Sequence, residues 1–272
     1  MYKITNYTMF CVVFFFLITH LCLAQTTNVA PTLTALGNQA YCAKSQINIV
    51  TDFNIVDPDD TQTEALYIQI STGYSNGEDT LILTGSHPTI TTSWNALEGK
   101  LTLSGIASNL VTYTDFITAV KAIVFQSSSN NPTNKEFSIT IGDANYLPST
   151  GHYYQYVPSL GITWTSAKTT AENSFYFGLQ GYLATITSLE EAQLSGEQAA
   201  GAGWIGGSDA EVEGTWKWVT GPEAGAVFWN GNFNGSTPNF AFWNSNEPNQ
   251  SGNEDYAHVT APGVVYLVLG TI

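Results

Sequence analysis

Short runs in which apolar and polar residues alternate fill the stretch from Asn28 to Asp143. Leu66, Ile68 and Ile70 alternate with Tyr67, Gln69 and Ser71. Leu101 and Leu103 follow a Glu98-Gly99-Lys100 turn, and Phe137, Ile139 and Ile141 close the segment. A period of two places every second side chain on one buried face, so each run predicts a half-buried strand. Several such strands at short spacing predict an all-β antiparallel sandwich, with one short helical piece over Thr114–Lys121. After Gly151 the period changes. Tyr153, Tyr154 and Tyr156 open a strand, and Trp164, Ala167 and Ala171 share one helix face. Leu189, Ala192 and Gln193 share a second, with Ser188 as its N-cap and Glu191 three residues on. Glycine-spaced aromatics then precede an acidic loop. Two helices, short strands and a long loop predict an α+β domain. Between the halves, Asn145-Tyr146-Leu147-Pro148-Ser149-Thr150-Gly151 reads as a short linker. The expected organisation is a β-sandwich over 25–144, a linker over 145–151 and an α+β domain over 152–272.

The N-terminus departs from both patterns. Lys3 precedes a nearly unbroken apolar run from Met9 to Leu23, then Ala24 and a polar stretch. That is the layout of an export signal, with cleavage expected after Ala24. A membrane anchor is the other reading, but this run, at 1.5 Å per residue, is shorter than a ~30 Å hydrocarbon core. Cys22 lacks the small residues before it that a lipidation site wants. A secreted or extracellular protein, possible at a cell surface, is expected, with no membrane insertion once the signal is removed. Loss of Cys11 and Cys22 with the signal leaves Cys42 alone, so packing rather than disulfides must hold the mature chain. Pairing with another chain is open to Cys42, though a lone buried thiol is the commoner case.

Charge narrows the partners further. The chain has 22 acidic residues against 7 basic ones, all lysine, for a formal net charge of −15. Without the guanidinium fork that recognises phosphate, a nucleic-acid partner is excluded. Charged residues are only 11% of the chain while aromatics reach 13%, which is the balance of a folded exported protein and not of a disordered acidic tail.

The first half resembles the cadherin-like repeats of large bacterial surface proteins. The likeness rests on Ile55-Val56-Asp57-Pro58-Asp59, Gly77-Glu78-Asp79, Gly99-Lys100-Leu101-Thr102-Leu103-Ser104-Gly105 and Ile139-Thr140-Ile141-Gly142-Asp143. No single motif in it is sharp. In such a domain Asp57, Asp59 and Asp60 would hold Ca²⁺ at a domain end, because hard cations take several carboxylate oxygens. An Asp-Pro turn whose side chains bond their own backbone is the equal alternative.

The second half is similar to the C-type lectin-like domain. The matching residues are Leu183-Ala184-Thr185-Ile186, Trp204-Ile205-Gly206, Gly214-Thr215-Trp216-Lys217-Trp218, Glu247-Pro248-Asn249 and Asn253-Glu254-Asp255, in the order that family shows. The resemblance implies a Ca²⁺-dependent sugar site at Glu247-Pro248-Asn249. A cis proline at Pro248 would turn the Glu247 carboxylate and the Asn249 amide oxygen toward one cation, and Glu254 would add a third oxygen. Calcium takes six to eight oxygens, so adjacent sugar hydroxyls can complete its shell while donating to the same ligands. Within the family, Glu-Pro-Asn implies mannose-type, fucose or N-acetylglucosamine rings, so glycans or glycoproteins are the implied partners. Asp209 and Glu213, with Asp255, stand where the family's auxiliary Ca²⁺ ligands lie, although Gln250 occupies a place where aspartate is common. A solvated acidic turn is the competing reading. Trp229, Phe240 and Trp243 would either cover apolar sugar faces or pack as loop core.

Two departures matter. The family's paired cysteines are absent, with Tyr256 where one would stand, so the loop leans on packing and calcium. The family's Trp-Asn-Asp is also absent, since the chain closes on Val264-Val265-Tyr266-Leu267-Val268-Leu269-Gly270-Thr271-Ile272. A shift of reading frame is compatible with this: Tyr266–Ile272 written TAC CTG GTT CTT GGA ACG ATT reads Pro-Gly-Ser-Trp-Asn-Asp from the third base. The expectation is a domain that lacks its closing strand and has impaired sugar affinity.

No catalytic set competes. Glu190 and Glu191 read as first-turn acids that favour the helix dipole, and His152 and His258 lack partners at metal-ligand spacing. Nucleophile-elbow, phosphate-loop and cysteine-based signatures are missing. A non-enzymatic lectin or adhesin is the first expectation. A C-type lectin-like module that binds a protein, or ice, without sugar chemistry is the second.

Overall fold

A computed structural model describes residues 29–249 and 251–260, together with the backbone of a strand at Leu267–Leu269. The expected export signal, Gln250 and all side chains after Thr260 lie outside the described residues.

The first half is built from antiparallel strands, as the alternation predicts. Glu136–Thr140, Ala65–Thr72, Lys100–Gly105 and Ile90–Asn95 form a four-stranded sheet in that order, and Gln46–Asn48, Ile123–Ser127 and Asp79–Leu83 form a three-stranded one. Thr32–Leu36 pairs with Asp52–Val56. The expected helical piece is the helix Tyr113–Lys121, capped by Thr112, whose side chain accepts from the Asp115 amide. Its Phe116 and Val120 join Leu66, Ile68 and Ile70 of one sheet and Leu81, Ile123 and Phe125 of the other in one core. Leu66, Ile68, Ile70 and Phe116 are fully buried, and each such side chain stabilises the fold by roughly 2 kcal/mol.

The stretch read as a linker is not one. Asn145–Leu147 pairs with His152–Tyr154 as an antiparallel hairpin, Leu147 is fully buried, and Tyr146, Tyr153 and Tyr176 stack at centroid spacings of 4.8 and 4.9 Å. Proline and glycine mark the turn of a hairpin here, with Gly151 at φ +72°. Cys42 is a second correction, because it is exposed in a turn whose carbonyl accepts from the Ser45 amide and hydroxyl.

In the second half the Trp164–Glu172 helix stands where the apolar spacing predicts it. The other helix is short. Leu189–Ala192 is α-helical and then opens into a π-helical turn over Gln193–Glu197. Ser188 caps it by accepting from the Glu191 amide at 3.2 Å. The Glu191 carboxylate does not lie on the surface as a first-turn acid would. It is 2% exposed and accepts from Tyr154 Oη, Thr187 N and Thr187 Oγ1, each at 2.6 Å. A five-stranded antiparallel sheet follows, in the order Val227–Asn230, Thr215–Trp218, Gly203–Ser208, Tyr256–Val259, Leu267–Leu269. The last strand pairs Leu269 with Ala257 at the sheet edge. Ile186, Ile205, Trp216, Trp218 and Phe228 form a separate core beneath this sheet.

The π-helical turn has a structural consequence. It delivers Gln198, 4% exposed, to the first half, where its amide Nε2 donates to the carbonyls of Ile70 at 3.0 Å and Glu98 at 2.7 Å. Tyr176 Oη donates to the Ile141 carbonyl at 2.9 Å, a second tie between the halves.

Candidate functional site

The loop between Asn230 and Tyr256 carries most of the predicted site and is held from below by aromatic packing. Trp229, Phe240 and Trp243 all pack against the second core, with Trp243 at 5.4 Å from Trp216, 5.7 Å from Phe228 and 6.2 Å from Trp229. Of the two readings of these rings, their placement is that of loop core. Where the sequence lacks a cysteine, Tyr256 stacks on Trp164 at 4.4 Å and 17°. The Trp164 indole in turn donates to the Ile205 carbonyl at 2.8 Å. Ring burial thus anchors the end of the loop to the helix and the central strand.

The Glu247-Pro248 peptide is cis, as expected of this tripeptide. Glu247 and Asn249 meet: Asn249 Nδ2 donates to Glu247 Oε1 at 2.7 Å and the Asn249 amide to Oε2 at 3.1 Å. Asn249 Oδ1 accepts from the Ser251 amide at 2.7 Å, so the turn is closed by its own side chains. Glu254 is 7% exposed. Burial first, and the Glu254 charge second, push the Glu247 carboxyl above its ordinary range, against the lowering effect of the Asn249 donors. The Glu254 charge thus reaches Glu247, which is itself only partly buried, while Asn249 is exposed.

A second acidic group lies beside it. Asp209 is 2% exposed, and its Oδ2 accepts from the Gly214 amide at 2.9 Å. Its Oδ1 is buried with no hydrogen-bond partner among the described residues. Burial, reinforced by Glu213 and Asp255, raises its carboxyl to about 6. Asp255 accepts from Asn253 Nδ2 at 2.7 Å, and the Asp209 amide donates to the Asp255 carbonyl at 3.3 Å. Glu213 stands exposed at the edge. A buried carboxylate oxygen without a donor is a group a hard cation would satisfy, but the carboxylates of Asp209, Glu213 and Asp255 do not all come within 4.8 Å of one another. The sequence does not announce the Ser251 amide that donates to Asn249 Oδ1 or the Gly214 amide that donates to Asp209 Oδ2, since any residue carries a backbone amide.

Asp57, Asp59 and Asp60 also come together, with one oxygen from each within 4.8 Å of the others. Among the described residues, this is the one group that brings three carboxylates so close. The turn bonds of the alternative reading are present as well: Asp57 Oδ1 accepts from the amides of Asp59 and Asp60, each at 3.1 Å. Asp57 Oδ2 accepts from Tyr113 Oη at 2.7 Å, and Asp59 Oδ2 from the Val29 amide at 3.1 Å. Of the histidines considered for catalysis, His152 meets Tyr182 Oη at 3.4 Å, and His258 packs edge-on to Trp204 at 5.7 Å.

No family model matches the chain, and no solved structure does. Halomucin of Haloquadratum walsbyi is 37% identical over 249 residues, covering 86% of this chain and 3% of its own length. An alignment of that span enters both halves. C-type lectin domain family 4 member M of Gorilla gorilla gorilla is 37% identical over 89 residues, 31% of this chain and 20% of that protein. The type-2 ice-structuring protein of Brachyopsis segaliensis is 38% identical over 66 residues, 24% of this chain and 36% of that protein. The chain thus spans a small fraction of each relative's length, and it carries a stretch homologous to C-type lectin family members.

Proposed function

We propose that the chain is an exported, non-enzymatic adhesion protein whose second half binds glycans through calcium, held out by a cadherin-like first half. The observation that carries the reading is the cis Glu247-Pro248-Asn249 turn, whose Glu247 carboxyl feels the charge of the buried Glu254, together with an Asp209 oxygen that lacks a donor. Glu247, Asn249 and Glu254 would hold the sugar-side ion, and Asp209, Glu213 and Asp255 a second ion that orders the loop. Bound calcium supplies coordination positions that sugar hydroxyls complete. The protein's own part is to hold acceptors around those hydroxyls. Asp57, Asp59 and Asp60 would take a further ion in the first half.

Glycan-array binding that is lost on chelation and regained with calcium supports this reading. The similarity to an ice-structuring protein favours a second one, a lectin-like surface with no sugar chemistry. Calcium-independent capture of a protein ligand, or ice-growth inhibition without glycan binding, would select it.

A further inference from the structure

A cleft of about 350 Å³ is lined by Thr187, Trp218, Glu223, Ala226, Asn239 and Phe240, the last two from the loop between Asn230 and Tyr256. None of these residues belongs to the proposed cation sites. The volume is at the small end of the range of roughly 300–1,000 Å³ that small-molecule sites occupy. Trp218, 3% exposed and stacked on Phe228 at 4.1 Å, is a fixed part of the wall, while the Phe240 ring is only partly buried.

The polar lining is short of donors. Glu223 Oε2 accepts from Thr185 Oγ1 at 2.8 Å, leaving Oε1 as an acceptor. Asn239 gives one Nδ2 hydrogen to the Val227 carbonyl at 2.8 Å, leaving its amide oxygen and one N–H. The Thr187 hydroxyl gives its one hydrogen to Glu191 Oε2 at 2.6 Å, leaving lone pairs. Glu223 is the one charged residue in the lining, so anions are repelled. Acceptors beside aromatic rings select a neutral molecule with many hydroxyl donors and one apolar face. A single sugar ring has that chemistry and that size.

We propose that this cleft binds one hydroxyl-rich sugar ring without any metal ion. The site uses none of Glu247, Asn249 and Glu254, so it stands or falls separately from the calcium-dependent reading. The test is saturation-transfer NMR on the full chain in excess chelator, with methyl α-D-mannopyranoside, methyl β-D-galactopyranoside and methyl β-D-glucopyranoside as probes. At least one probe is expected to receive saturation. Its affinity should fall about tenfold in Glu223→Gln, the loss expected for one hydrogen bond to a charged acceptor. That variant keeps an acceptor for Thr185. Binding should vanish in Ala226→Phe, which fills the cleft from an exposed position and removes no contact. Failure of all three probes in chelator, or transfer unchanged in both variants, overturns the proposal. Transfer that appears only with calcium also overturns it, and leaves the Glu247 site intact.

Discussion

Replacing Asp209 by asparagine separates fold stability from cation binding, because the two respond in opposite directions. The Asp209 carboxyl is raised from 3.8 to about 6, with burial as the main cause and Glu213 and Asp255 behind it. At about 1.4 kcal/mol per pH unit, and discounted for the solvent that still screens the carboxylate, the charged form costs the ion-free protein about 2–3 kcal/mol at neutral pH. The sign follows from the raised value. The contribution to stability is whole below the unfolded carboxyl range and is lost as pH rises through about 6. Asparagine keeps an oxygen for the Gly214 amide, now at 2.9 Å, and brings an amide group whose burial takes back roughly 1 kcal/mol. In chelator, Asp209→Asn should therefore unfold at higher urea than the parent, by about 1–2 kcal/mol. In calcium the order reverses, since the parent gains about 2.7 kcal/mol at a hundredfold excess over its dissociation constant and the variant loses a carboxylate ligand. Urea denaturation with and without calcium reads both numbers. A variant that is less stable than the parent in chelator, yet equally stabilised by calcium, would falsify the assignment of Asp209 as a strained cation ligand.

Gln198→Leu should cost roughly 2 kcal/mol in the same assay. Glu98 O retains its bond from Gln69 Nε2 at 3.0 Å, so the loss falls mainly on the Ile70 carbonyl. A change below about 0.5 kcal/mol would show that the amide does not brace the halves. Alkali should unfold the protein between pH 10 and about 12. Burial is the first cause that pushes Tyr74, Tyr176 and Tyr182 each up to about 12, and the Tyr154 hydroxyl, which donates to Glu191, is raised further. With folded values above the unfolded one, stability is complete below the unfolded value and drains away as pH approaches the folded one. Tyrosinate absorbance rising together with loss of the near-ultraviolet dichroism would agree. A gradual rise centred near the free tyrosine value, with the fold intact, would not.

How much of this was legible in sequence depends on whether the signal is local. The alternation at Leu66, Ile68 and Ile70 named a strand because side-chain direction repeats every two residues whatever the partner strand is. Ser188 announces a helix start for the same reason, since a cap is satisfied within three residues. Asn145–Gly151 misled because proline and glycine report a change of chain direction but not what flanks it. Burial of Leu147 and the tyrosine stack, which are tertiary events, make it a hairpin. Glu191 misled in the same way: its position in the first turn was readable, and its burial under Tyr154 was not, because that residue lies 37 positions earlier.

The site shows the same division at finer scale, and it bears on how the loop works. Glu247-Pro248-Asn249 is local, and its residues meet as the tripeptide implies. The pairing of Tyr256 with Trp164 is not local, yet it decides what the loop needs from a cation. A disulfide would restrain the unfolded chain as well as the native one, whereas a stacked pair acts only once the helix and the sheet have formed. The loop's lower end is therefore held by the folded core, through Trp164, Tyr256 and Trp243. Its upper end is held by bonds among Glu247, Asn249 and Ser251 that use the same oxygens a cation would take. Ion binding then exchanges one set of partners for another at the tip while the aromatic base stays in place. Calcium should accordingly change the environment of the Glu247 turn far more than that of the buried tryptophans.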